Sequence, residues 1–283
     1  MKKNILVTGG AGFIGSNLCK ELSKSNNVFS IDNYSNGRLE NHHKNVEYIN
    51  DDTFNIDKYF LNQDFDYVFH LGEYARVEQS FEDYDKVMDY NYYSFPKVVE
   101  FTKKKNAKLI YSGSSTKFSV GEDGKSMSPY AYTKAQNTEF LKCYSLWYGL
   151  DYTIVYFYNA YGDEEVGNGK YATVIAKFLN LYKGGNKTLP VTEPGTQLRN
   201  FTHIDDIISG LIISGFNGNG DGYGIGSDEK FSILDVVGFL NCKVKLISQK
   251  KGNRMDGVLM TEKLKELGWS PKKNLKQYLT SKI

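Results

Sequence analysis

The sequence predicts an α/β fold, a doubly wound parallel sheet with a smaller C-terminal unit. Three observations predict it. Strand-like and helix-like patterns alternate through the first 158 of 283 residues, which argues for a parallel sheet with helices on both faces. A turn with three spaced glycines follows the first apolar run. An acid closes the second.

The first run, NILV at 4–7, reads as a buried strand. TGGAGFIGSN (8–17) follows and leads into a helical pattern, LCKELSKS. Gly9 permits a tight strand-to-helix turn, Gly12 lets backbone approach a pyrophosphate, and Gly15 lets helix and strand pack closely. The helix start offers N–H groups and a positive dipole end to phosphates. Seventeen residues after Gly15, Asp32 ends NVFSID, where a carboxylate suits ribose hydroxyls and repels the extra phosphate of NADP. Strand, glycines, helix, strand and acid in that order predict a Rossmann-type domain that binds NAD.

Further strands are expected at 28–31, 46–49, 67–71, 108–111 and 152–157, with helices between them. Pro96 interrupts the pattern of 86–104, so a kink or a late helix start is expected there. SPYAYTKAQNTEFLKCYSLWYG gives the clearest helix: Ser128 caps it, Pro129 fits its first position and Gly149 ends it. After Asn159 the alternation loosens into glycine-rich loops, short helices and scattered strands, the texture of a substrate-binding part. Asn217, Asn219, Asp221, Gly222 and Asp228 mimic a calcium loop, but the end ligands are wrong and no helix pair flanks them. They read as a polar turn.

Composition narrows the partners. Hydrophobic residues at 40% and charged residues at 24% are globular values. A net charge of +2 gives no nucleic-acid footprint. Cys19, Cys143 and Cys242 are odd in number and in no metal spacing, which fits a reducing cytoplasm. MKKNILV begins like a signal peptide, but residues 8–10 break the apolar stretch too early. No run is long enough to span a membrane. His42, His43, His70 and His203 show no ligand spacing, so no metal is expected.

A nicotinamide enzyme that oxidises an alcohol needs a base beside the carbinol. Tyr130 and Lys134 in PYAYTK are four apart and share a helix face. Lowering a phenol from roughly 10 to about 7 takes ~4 kcal/mol, which an ammonium and a cationic nicotinamide ring together can supply. Tyr93–Lys97 and Tyr278–Lys282 repeat the spacing, so spacing alone decides nothing. Only Tyr130 opens a helix soon after a strand ending in SGSST (112–116), where Ser114 can hydrogen-bond the same substrate oxygen. Tyr93 and Tyr278 are read as packing residues.

With these motifs in order, the chain from Asn4 to about Trp269 resembles the extended short-chain dehydrogenases/reductases, specifically their nucleotide-sugar epimerases and dehydratases. TGGAGFIGSN and DNYSNGR (32–38) match the cofactor half, implying NAD contacts from Phe13, Ile14, Asp32, Asn33 and Asn36. Asp52 and Thr53 fall where the family holds adenine. HLGEYARVEQS (70–80), with Leu71 and Gly72, resembles the stretch beside the cofactor pyrophosphate, and Asn91 matches a recurrent helix asparagine on the cofactor side. Ser114, Tyr130 and Lys134 fall on the catalytic triad, and the resemblance implies that Tyr130 and Lys134 also contact NAD, Lys134 at the nicotinamide ribose. In YFYNAYG (156–162), Phe157 implies a nicotinamide contact and Asn159 a contact to the sugar-nucleotide pyrophosphate. RNFTHIDD (199–206) and GNRMDG (252–257) supply Arg199 and Arg254, two guanidinium groups for that diphosphate.

The resemblance implies a cofactor domain over 1–158, to which 200–227 return, and a nucleotide-sugar part formed by 159–199 and 228–283. It implies an NAD-dependent enzyme acting on a nucleotide-diphosphate sugar, expected as a C4 epimerase of a UDP-hexose and as a cytoplasmic homodimer. The alternatives are net redox on the sugar, 4,6-dehydration, or an idle NAD-binding module. Four departures stand out. The stretch between Ser114 and Tyr130 is short, Glu73 replaces a small residue, and Tyr156 stands where arginine is common. Ser115 and Thr116 occupy the places of the Asp–Glu pair that 4,6-dehydratases carry.

Overall fold

The computed structural model describes residues 2–118, 124–249, 251–252 and 254–283. Part of the short stretch between Ser114 and Tyr130, residues 119–123, therefore lies outside the described residues. Among the described residues, seven strands form one parallel sheet. They are β1 (Asn4–Thr8), β2 (Asn27–Asp32), β3 (Val46–Asn50), β4 (Tyr67–His70), β5 (Lys108–Ser114), β6 (Tyr152–Phe157) and β7 (Gly220–Ile225). Their spatial order is β3-β2-β1-β4-β5-β6-β7. Winding reverses between β1 and β4, which opens a crevice at the C-terminal strand ends.

Five helices matter for the site: α1 (Phe13–Leu22), α2 (Ser94–Lys104), α3 (Pro129–Tyr148), α4 (Val174–Lys183) and α5 (Ile204–Asn217). The strands are apolar on both faces because helices cover both. In β1, Leu6 joins Phe95, Val98, Val99 and Leu141 from α2 and α3 on one face. Ile5 and Val7 join Leu18, Leu22, Ile208 and Leu211 from α1 and α5 on the other. A third core gathers Tyr161, Phe178, Leu189, Val191, Val236, Leu240, Leu275 and Leu279 beside the sheet.

Local chemistry explains the element ends. The Ser128 side chain accepts from the Ala131 N–H, Pro129 opens α3, and Gly149 closes it at φ 66°. At Pro96 the expected irregularity takes the form of a wide π turn over Met88–Tyr93, directly before α2. Proline lacks an N–H and crowds the carbonyl four residues back, and a widened turn accommodates both. The expected polar turn near 217–222 is shorter than the sequence suggests. Pairing with β6 draws Gly220, Asp221 and Gly222 into β7, with a register shift between Gly220 and Tyr223. Tyr278 packs against Tyr161 and His203 as expected. Tyr93 lies outside the core: its ring stands edge-on to Tyr92 and it is 55% exposed. No helix is long and apolar enough to cross a membrane among the described residues.

Candidate functional site

Thr8 ends β1 at the reversal point, and its hydroxyl ties β1 to β4. It accepts from the Leu71 and Gly72 N–H groups at 3.1 and 2.9 Å. With both lone pairs used, it donates to His70 Nδ1 at 2.7 Å, so neutral His70 carries its proton on Nε2. The glycine turn is packed to backbone contact. Gly9 has φ +72°, and a Cβ there would lie 2.7 Å from Gly72 Cα. A Cβ on Gly15 would lie 2.0 Å from the Gly9 carbonyl oxygen. Helix α1 opens at Gly12 with no side-chain cap, leaving its N-terminus available to an anion.

Asp32 ends β2, its carboxylate accepting from the Ala11 and Tyr34 N–H groups at 2.9 and 2.8 Å. Burial raises its carboxyl above the ordinary value, and those two hydrogen bonds work against the rise. Asp52 accepts from Asn33 Nδ2 at 3.1 Å, beside the buried Thr53. These groups line a cavity of about 670 Å³.

The cavity contains nearly all the residues singled out by sequence. Gly9, Gly12, Phe13, Ile14, Gly15, Asp32, Asn33, Asn36, Asp52, Thr53, Leu71 and Gly72 line it. So do Ser114, Tyr130, Lys134, Phe157, Asn159, Arg199 and Arg254. Asn91 does not. It is fully buried and brackets Tyr74, accepting from its N–H at 2.7 Å and donating to its carbonyl at 3.1 Å, and it also donates to Thr133 Oγ1. The asparagine stitches the π turn to the strand β4 exit and to α3, so its amide has no reach into the cavity.

Among the candidate catalytic residues, Ser114 Oγ lies 2.8 Å from Thr116 Oγ1. Tyr130 is the second residue of α3, one helical turn before Lys134. Nζ of Lys134 pairs with Glu73 Oε2, and it donates to the Ser112 carbonyl at 2.6 Å and to Ser112 Oγ at 3.4 Å. All three ammonium protons are therefore engaged within the protein. Burial opposes the charge on Glu73, yet Lys134 beside it offsets this and holds the carboxyl below its ordinary value.

The arginines reach the Ser114 segment through backbone carbonyls. Arg254 donates to the Ser115 carbonyl at 2.8 Å, next to Ser114, and Arg199 donates to the Arg254 carbonyl at 2.6 Å. Burial and the neighbouring Arg254 charge push Arg199 down to about 10. Burial likewise lowers Arg254. Two half-buried like charges side by side make a site that an anion would stabilise. Asn159 sits beside them with φ 31°, donating to the Asn200 carbonyl at 2.9 Å.

Arg76 and Glu165 are among the cavity groups that sequence reasoning missed. Arg76, inside the quoted HLGEYARVEQS block, donates from Nε to the Tyr171 carbonyl at 2.8 Å. Glu165 accepts from Thr173 Oγ1 at 2.5 Å, while its other carboxylate oxygen is buried without a partner among the described residues. Burial pushes its carboxyl up to about 7. A glutamate in a glycine-rich loop carries no periodic signal, so only the fold reveals its burial.

Residues 5–226 match the NAD dependent epimerase/dehydratase family. A UDP-N-acetyl-alpha-D-glucosaminuronate decarboxylase of Bacillus cytotoxicus is 31% identical, covering 84% of this chain and 79% of that protein. The UDP-glucose 4-epimerase of Thermotoga maritima, solved with UDP-glucose, superposes at TM-score 0.89 with 25% identity, covering 98% and 96% of the two chains. The UDP-glucose 4-epimerase of Thermus thermophilus, solved in complex with NAD, superposes at 0.87 with 26% identity over 98% and 96%. The glycine turn, the acid at the tip of β2 and the Ser114–Tyr130–Lys134 set thus stand in a chain that belongs to the NAD dependent epimerase/dehydratase family.

Proposed function

We propose that this protein is a nucleotide-sugar 4-epimerase that inverts C4 of a UDP-hexose through a transient 4-ketose. The observation that carries the reading is the continuous path Arg199–Arg254–Ser115–Ser114 along one cavity that also holds Tyr130. It supports reading the arginines as an anion site within electrostatic reach of the candidate base. The uncapped start of α1 and the close-packed glycines fit the NAD pyrophosphate, and Asp32 fits the adenosine ribose. The chemistry that bound NAD supplies is reversible hydride exchange. Tyr130, as phenolate, takes the proton of the 4-hydroxyl and gives it back when the ketone is reduced. Ser114 Oγ holds the same oxygen. Arg199, Arg254 and Asn159 hold the diphosphate while the sugar turns over, which retains the ketone between half-reactions.

Ser115 and Thr116 leave no acid beside Ser114 to protonate a departing C6 hydroxyl, which favours epimerisation over 4,6-dehydration. In this reading residues 1–158 with 200–227 hold the cofactor, and 159–199 with 228–283 hold the nucleotide sugar. The protein works as a homodimer through α3 and the 84–104 helices, where Tyr92, Tyr93, Leu146, Trp147 and Tyr148 are exposed. Light scattering that returns a monomer mass at working concentration would remove the dimer.

The reaction is tested with a C4-deuterated nucleotide hexose and no added NAD. The epimer product should retain the label, with no NADH released. Stoichiometric NADH would make the protein a dehydrogenase, and a 4-keto-6-deoxy product would make it a dehydratase.

A further inference from the structure

A carboxylate sits beside the lysine of the reactive set, and the proposed mechanism does not use it. Glu73 leaves β4 just after the reversal point, and its side chain is 1% exposed although it borders the cavity. Among the described residues, four groups face it from three elements. From α3, Lys134 pairs with Oε2 and Asn137 Nδ2 donates to Oε1 at 2.8 Å. From β5, the Tyr111 hydroxyl donates to Oε1 at 3.5 Å. From β4, His70 Nε2 faces Oε1 at 3.8 Å, beyond hydrogen-bond reach. Burial first and then the Glu73 charge hold the Tyr111 phenol well above its ordinary value, so it stays a neutral donor. Tyr130, Arg76 and Arg254 line the same cavity, both arginines within electrostatic reach of Tyr130.

We propose that Glu73 is a positioning residue for the reaction, the buried counter-ion that fixes Lys134 against Ser112 and cancels its charge one helical turn from Tyr130. This rests on reading the cavity as an NAD and nucleotide-sugar site. A lone ammonium there would repel the cationic oxidised nicotinamide and would favour the Tyr130 phenolate. The paired ammonium does neither at full strength. The pair therefore biases the protein toward oxidised cofactor and sets the acid limb of its pH–rate profile at higher pH than an unpaired lysine would.

Two readouts follow, of which one needs no turnover. NAD and NADH are titrated separately into cofactor-stripped protein, and the acid limb of epimerisation is recorded. Glu73→Gln keeps the shape and removes the charge. It should lower the NAD:NADH affinity ratio roughly tenfold, and move the acid limb down by about one pH unit, as expected for one charge a few ångströms away. Glu73→Asp keeps the charge and should keep the parental ratio. Should Glu73→Gln not fold, Lys134→Met carries the test with opposite sign: a lone carboxylate should raise the ratio. An unchanged ratio in a folded Glu73→Gln protein, or a Glu73→Asp protein that behaves like Glu73→Gln, overturns the proposal. A parent protein that binds neither nucleotide would instead overturn the cofactor reading beneath it.

Discussion

Replacing the second and third glycines of the turn should separate two roles that the sequence pattern merges. At Gly15 an added Cβ would lie 2.0 Å from the Gly9 carbonyl oxygen, 2.8 Å from Gly9 C and 2.9 Å from Gly10 Cα. Ordinary contact begins near 3.4 Å, a shortfall of 3.4 − 2.0 = 1.4 Å against backbone. Gly9 cannot yield cheaply, because its N–H is bonded to the Ile31 carbonyl at 2.9 Å and its own carbonyl accepts from Gly12 N–H. Helix α1 must move instead, dragging Leu18, Cys19 and Leu22 in the core. Overpacking of this kind costs about 3 kcal/mol, the upper end of its usual range. For a chain of this size that is a fall of about 5 °C in melting temperature.

Gly12 differs. Its φ of −78° suits any residue, and an added Cβ meets only the Gly9 carbonyl oxygen, at 3.3 Å. Gly12→Ala should therefore melt within about 2 °C of the parent. Yet its methyl group stands where a pyrophosphate would approach, so NAD affinity should drop roughly 100-fold, or ~2.8 kcal/mol. Thermal unfolding without ligand and calorimetric titration with NAD read the two effects separately. A Gly15→Ala protein that melts with the parent would refute the packing argument. A Gly12→Ala protein with parental NAD affinity would refute the close approach of backbone to phosphate.

Other expectations follow from the same geometry. Asp32 should make the protein bind NAD far more tightly than NADP, and Asp32→Ser should narrow the gap; equal affinities in the parent would sink the assignment. Tyr130→Phe should abolish turnover while leaving NAD and nucleotide-sugar binding nearly intact, whereas the same change at the exposed Tyr93 should leave turnover near normal. Glu165 supplies a pH signature. Its carboxyl is raised to about 7 by burial, from 4.5, so between those values the folded state holds a proton that the unfolded state has lost. Stability should fall as pH rises through that window, by up to ~3 kcal/mol. Glu165→Gln should flatten the dependence in urea unfolding at pH 5 and pH 8, and parallel losses in both proteins would show that another group is responsible.

The cofactor half of the site is legible in the chain because its determinants are consecutive. Gly9, Gly12 and Gly15 act through steric constraints within one turn, and Asp32 acts from the end of the next strand. Local chemistry also set the ends of α3, where Ser128, Pro129 and Gly149 are each suited to one backbone position. Asn91 shows the limit. Its place in a helix was readable, but its partners Tyr74 and Thr133 come from two other segments, and they turn its amide away from the cavity.

What sequence alone determined, then, was the fold class and the close-packed glycine turn, both of which depend on periodicity or on short-range spacing that the covalent chain imposes. It singled out Ser114, Tyr130 and Lys134 as candidates by context, and the fold brings them to one cavity. Only the tertiary structure decided the electrostatics. Lys134 meets Glu73 across 61 positions of chain and Arg254 meets Ser115 across 139. Glu165 owes its raised carboxyl to burial by segments brought over it. Charge acts through space and burial depends on every neighbour, so the counter-ion of Lys134 could be named in the sequence but not recognised until the chain had folded around it.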